Sequence, residues 1–155
     1  KEDLANTQIM RNEFWHMFIP KFNEKSSLFS GKNITLNQYD YWFSTGAGIS
    51  GVYFNFLVTK SYAGIELEIS GRTQEENKKI YDYLYSYKDE IDNSFGDKLS
   101  WERLDDKKRS RISYKLEDVS ILDKEVWPKM MNFMAINMLK FEKALRKHIN
   151  NYAKK

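Results

Sequence analysis

The sequence predicts an α+β fold of order α-β-β-β-α-β-β-α, a five-stranded antiparallel sheet packed by helices, in a single domain spanning 1–155. Three observations carry this. Apolar and polar residues alternate with period two in 41–69 and again in 99–116. Stripes of helical period occupy 6–22, 73–95 and 123–152. The strand-like segments are joined by short Gly- and polar-rich connections, which favour antiparallel hairpins.

The first helix is placed at 6–22, capped by Asn6 or Thr7, with Met10, Phe14, Met17 and Phe18 on one face, Trp15 beside them and Pro20 near the end. Residues 23–38, polar and broken by Ser and Gly, read as loop. Tyr41–Thr45 is a strand, and "GAGISG" a turn using positive φ at Gly46 and Gly48. The second strand sets Val52, Phe54, Phe56 and Val58 against Tyr53, Asn55, Leu57 and Thr59. The third points Ile65, Leu67 and Ile69 inward, Glu66 and Glu68 outward. Thr73 to Glu76 reads as a capping box opening one helix, with a stripe at Ile80, Leu84, Tyr87, Ile91 and Phe95 and a stop at Gly96. "KLSWERL", the turn "DDKK" and "SRISYKL" form a hairpin with Ile112, Tyr114 and Leu116 on its apolar side. The last helix starts at Asp123, tolerates Pro128 in its first turns, and carries Trp127, Met131, Met134, Met138, Phe141, Leu145 and Ile149. That stripe is roughly 33 Å long at 1.5 Å per residue, enough to overhang the sheet and serve a partner or second copy.

The formal charge is only +3, so its distribution matters more than its sum. Residues 73–95 hold three Lys against six Asp/Glu, and 126–155 hold seven Lys/Arg against Glu142 alone. There is no cysteine, hence no disulfide and no thiolate zinc site, as suits a cytoplasmic protein. No apolar run approaches the ~18 residues of a membrane span, and the start lacks a signal-peptide pattern. The chain begins without Met, as an excised domain or a processed chain would.

Catalytic constellations do not assemble from spacing. His16 reads as a helix residue beside the core and His148 as a solvated member of the basic last helix; neither has a triad context. Glu66 and Glu68 share a strand face and would hold Mg²⁺ only with a third ligand; a Glu-x-Lys nuclease motif is lacking there, because Ser70 stands where Lys is needed. "STGAGISG" runs into a strand, not a helix, so it is no phosphate loop. No cofactor is expected.

Residues 107–115 concentrate five cations: Lys107, Lys108, Arg109, Arg111 and Lys115. They suit a phosphate-touching β-ribbon. Pairing of Arg111 with Glu102 across the hairpin is the structural alternative. Lys140, Lys143, Arg146 and Lys147 supply a second basic surface on the last helix.

Several segments carry a family resemblance: Phe14-Trp15, "GIELEI", "YDYLYSYKDEIDNSFGDKLSWERL", "KKRSRIS" and "LDKEVWPKMMNFM". Together they resemble a bacterial domain of unknown function that commonly lies C-terminal to a PD-(D/E)XK nuclease-like domain in restriction or defence proteins. The resemblance implies a cytoplasmic, DNA-metabolism setting and a longer parent chain, with the chemistry in the other domain and no catalytic or metal-binding residues here. The expectation is a non-catalytic accessory module contacting DNA through the nine cations named above, or positioning the tethered nuclease. A protein-binding or homodimerisation module using the Met-rich helix is the second expectation. A metal-dependent enzyme using Glu66 and Glu68 is the third.

Overall fold

The period-two segments become five strands: β1 (Trp42–Gly46), β2 (Val52–Val58), β3 (Tyr62–Ile69), β4 (Ser100–Glu102) and β5 (Ser110–Glu117). The helical stripes become α1 (Glu2–Asn23), α2 (Gln74–Tyr85), α3 (Lys88–Phe95) and α4 (Trp127–Ala153), with a 3₁₀ turn at Lys124–Val126 before α4. The computed structural model describes residues 2–155, with side chains from residue 5 onward. Lys1, where the chain begins without Met, lies outside the described residues.

The strands form one antiparallel sheet in the order β1-β2-β3-β5-β4, the predicted α+β layout. Register puts Phe43, Phe56, Ile65 and Tyr114 in one row and Phe54, Leu67, Ile112 and Trp101 in the same face's next row. All four helices cover that face. Phe18 of α1 meets Phe56 edge-on at 4.8 Å, and Phe141 of α4 meets Phe54 at 6.0 Å. Tyr81 of α2 meets Trp101 at 6.2 Å, and Phe95 of α3 meets Tyr114 at 4.8 Å. Aromatic rings thus fill the layer between sheet and helices. The other face carries no helix among the described residues. Its central row reads Ser44, Asn55, Glu66, Ser113, Ser100, polar on every strand.

Four local expectations change. α1 starts at Glu2, so Asn6 and Thr7 lie within the helix and not at its cap. Gly46 pairs with Tyr53 as part of β1, and positive φ falls on Gly48 and Gly51. At Gly51 a Cβ would lie 2.3 Å from the Gly71 Cα, so this turn demands glycine twice over. The capping box is half made: Thr73 accepts from the Glu76 amide, but the Glu76 carboxylate takes the Tyr152 hydroxyl at 2.8 Å. The helix predicted across 74–95 breaks at Ser86–Tyr87. There the Ser86 hydroxyl donates to the Tyr83 carbonyl at 2.6 Å, the acceptor that the Tyr87 N–H needs to continue the helix, and that N–H bonds Leu84 instead.

α4 does not overhang. Its buried residues run from Trp127 to Ile149, and Met130, Met134 and Met138 are fully enclosed, with Met131 only half-buried. The Met-rich stripe therefore belongs to the core, because the sheet and α1 and α3 cover it along its length.

Candidate functional site

The most constrained feature is the connection between β4 and β5. It spans 103–109, and Leu104 sits in the left-handed region at φ 56, a conformation a branched side chain adopts only under compulsion. α2 supplies the compulsion. Lys78 is 7% exposed, and its three ammonium N–H groups are shared among four oxygens: the carbonyls of Arg103 (2.5 Å), Leu104 (2.9 Å) and Arg109 (2.7 Å) and the Ser110 hydroxyl (2.9 Å). One residue earlier, the Asn77 amide donates to the Lys108 carbonyl (2.9 Å) and the Gly71 carbonyl (3.3 Å), while its oxygen accepts from the Gly71 N–H. Gln74 adds a bond to the Asp105 carbonyl at 2.9 Å. Burial pushes the Lys78 pKa down and the Arg103 charge adds to that, while Asp105, Asp106 and Asp82 pull it back up.

This bracing holds the backbone and leaves the tip side chains outward. Lys107, Lys108 and Arg109 are exposed and form no ion pair with any described residue. Arg72, which spacing did not single out, joins them. It too is exposed and in no ion pair with a described residue, and Asn77 ties its loop to the Lys108 carbonyl. Asp106 is the opposing charge at the tip, since Asp105 is taken by Arg103 at 2.6 Å.

The other expected cations are engaged. Arg111 pairs with Glu102 through two bonds of 3.0 and 3.1 Å, the cross-strand pairing weighed from the sequence, which holds the Glu102 carboxyl below its ordinary range. Lys115 lies over the Tyr62 ring at 4.5 Å, and Lys140 over Phe95 at 4.8 Å. Arg146 bonds Glu142 and the Ala47 carbonyl, and Lys147 pairs with Glu90 at 2.9 Å. Lys143 alone of the α4 set is exposed and without a partner among the described residues. The α4 cations flank α3, whereas the hairpin tip is held by the first turns of α2, so the two basic sets are carried by different parts of the molecule.

Glu66 and Glu68 both accept from the same Asn55 amide nitrogen, each at 2.8 Å, and Glu68 also accepts from Ser70 at 2.6 Å. An N–H donor thus sits between the carboxylates where a metal would have to bind. Burial pushes the Glu66 carboxyl up; the Asn55 hydrogen bond opposes this and the Glu68 charge reinforces it. Among the described residues no group of three or more acidic, His or Cys side chains converges on a metal position.

His148 departs from its reading as a solvated residue. It is 2% exposed, stacked on Tyr87 at 4.4 Å, with Nε2 at 2.9 Å from Glu90. The break between α2 and α3 turns Tyr87 toward it. His16 is exposed and bonds the Asn12 carbonyl of its own helix, instead of lying beside the core. Among the described residues no helix is long and apolar enough to cross a membrane.

Comparison with curated proteins and with solved structures returns no match. A family model does match: it covers residues 10–149 and so takes in every element from α1 to α4, the braced hairpin included. The chain therefore belongs to the family described as domain of unknown function DUF4268.

Proposed function

We propose that this domain is a non-catalytic accessory module that contacts DNA through the tip of the β4–β5 hairpin and positions or regulates a nuclease-like domain tethered to it. One observation carries the DNA contact: a buried Lys78, its ammonium among four oxygens, braces a loop whose outward side chains, Lys107, Lys108 and Arg109, form no ion pair with a described residue. A backbone already fixed removes the cost of ordering the loop when its cations meet phosphates. Unpaired cations also need no ion pair broken before binding. The nuclease association rests on the sequence resemblance.

The test is fluorescence anisotropy with a labelled DNA duplex over a series of salt concentrations. Reversing Lys107, Lys108 and Arg109 to Glu is expected to weaken binding at least tenfold. It should also flatten the log–log salt slope by about 0.9 for each phosphate that is no longer neutralised. Affinity and slope equal to wild type remove the hairpin from the reading. The tether is tested on the parent chain: a Glu-x-Lys strand motif upstream of this domain supports it, and a parent without a nuclease-like domain ends it.

A further inference from the structure

A second surface stands at the other end of the sheet, where β1 and β3 begin. Tyr41 and Trp42 are 41% and 40% exposed, their rings edge-to-face at 4.9 Å. Tyr62, on the same open face as Trp42, carries Lys115 above its ring at 4.5 Å. Arg11 of α1 lies 6.0 Å from the Tyr41 ring, and its buried Nε has no hydrogen-bond partner among the described residues. Lys60 is exposed on the β2–β3 turn beside them. Arg11, Lys60 and Lys115 form no ion pair with a described residue. Asp40 faces Arg11 at this corner, and Glu66 and Glu117 act on Tyr62.

The backbone here is fixed as firmly as the hairpin. The Trp15 indole N–H donates to the Asp40 carbonyl at 2.9 Å, Asn12 accepts from the Gln38 N–H at 2.7 Å, and the Val58 N–H donates to the Tyr41 carbonyl at 2.8 Å. Aromatic rings left in water on a rigid support, with cations against them, offer base stacking and phosphate neutralisation together. Lysine is depleted at protein interfaces, and this corner sets Lys60 and Lys115 beside its rings, a charge that suits a polyanion.

We propose that the corner formed by Tyr41, Trp42 and Tyr62 with Arg11, Lys60 and Lys115 binds single-stranded nucleic acid by stacking bases on the rings and pairing phosphates with the cations. This surface stands on residues other than those at the hairpin tip, Lys115 lying at the far end of β5; it shares with the DNA reading only the class of ligand. Trp15 and Trp127 are buried and Trp101 is half-buried against Tyr81, so Trp42 is the indole most open to a stacked base.

The experiment uses a labelled 12-mer of oligothymidylate and a duplex of equal length, titrated into wild type, Trp42→Ala, Trp42→Phe, Lys60→Glu and the triple hairpin reversal. The expected result is single-strand binding weakened at least tenfold in Trp42→Ala and restored to within about threefold by Trp42→Phe. Lys60→Glu should weaken it too, while duplex binding through the hairpin holds in all three. Trp42 is half-exposed on an edge strand and Lys60 is on the surface, so Lys60→Glu decides the matter if Trp42→Ala unfolds. Wild type that fails to bind the oligonucleotide overturns the proposal. So does Trp42→Ala that binds it normally, or loss of single-strand binding in the hairpin variant alone. A change of oligomeric state in Trp42→Ala with single-strand binding intact assigns the corner to a protein partner and also overturns it. Failure of the hairpin reading is a separate result: the triple reversal with duplex binding intact.

Discussion

At the scale of single residues, Glu66 shows what period-two reading catches and what it omits. Alternation placed it on the outward face, and it lies there. That Asn55 is buried there, at 1% exposure, and that Glu66 is desolvated depends on neighbours from other strands: Asn55 bridges Glu66 and Glu68, and Ser113 of β5 stands opposite Glu66. Because the folded protein raises the Glu66 pKa, the neutral carboxyl is favoured on folding. Its contribution is complete below the ordinary carboxylate value of 4.5 and is lost as pH rises through the folded value. Glu66→Gln keeps an acceptor for Asn55 and carries no charge at any pH. The variant should therefore gain on wild type between pH 4.5 and 7.5, measured as the difference in urea midpoints; a difference that does not change with pH would refute this. His148 makes the complementary point. A His in a basic helix reads as solvated, and only the stacking of Tyr87 and the approach of Glu90 from α3 reveal it as buried.

At the scale of elements, the junction of α2 with the β4–β5 hairpin carries the most information. The hairpin itself was legible, with its alternation, its Asp-rich turn and its Glu102–Arg111 pair. Its brace was not, because Lys78 sits on a helix whose charges read as a solvated face. One signal was available: three and four residues before Tyr81 stand Lys78 and Asn77, polar residues in stripe positions. Replacing Lys78 with Met removes the ammonium from three carbonyls and a hydroxyl; Arg103 still accepts from the Ser110 hydroxyl and Leu104 from the Lys107 N–H, so the loss falls mainly on the Arg109 carbonyl and the Ser110 oxygen. With unsatisfied buried acceptors at about 1–3 kcal/mol each and partial rescue by water, a loss of about 3 kcal/mol is expected. In a domain of this size that lowers Tm by roughly 6–12 °C. A calorimetric shift below about 2 °C would mean that the loop holds its shape without Lys78. The same variant should weaken duplex binding even where the fold survives, since the tip cations keep their charge but lose their fixed positions. The break between α2 and α3 is another element-scale event: helical periodicity continues through it, while the Ser86 hydroxyl bonds the Tyr83 carbonyl and the Tyr87 N–H turns to Leu84.

At the scale of the whole molecule, the sheet's two faces divide the labour. The helix-covered face is one continuous aromatic and aliphatic core, in which Phe56 touches Phe18, Phe22 and Phe29 with ring centroids 4.8–5.0 Å away. Phe56→Ala should cost about 3–5 kcal/mol in denaturant unfolding, with the transition still a single step because α1 and the loop before β1 share that cluster with the sheet. The helix-free face and its two ends are left for contact. Sequence alone determined the class of fold, the strand faces, the stop at Gly96 and the tip cations, because period two, period 3.6 and glycine at positive φ are local properties of a chain. Only the tertiary structure decided which cations are free and which are paired, that Asn55 separates Glu66 from Glu68, that His148 is buried, and that Lys78 holds the hairpin. Each of those depends on residues from distant segments arriving within hydrogen-bond distance, and spacing along a chain does not encode which segments will meet.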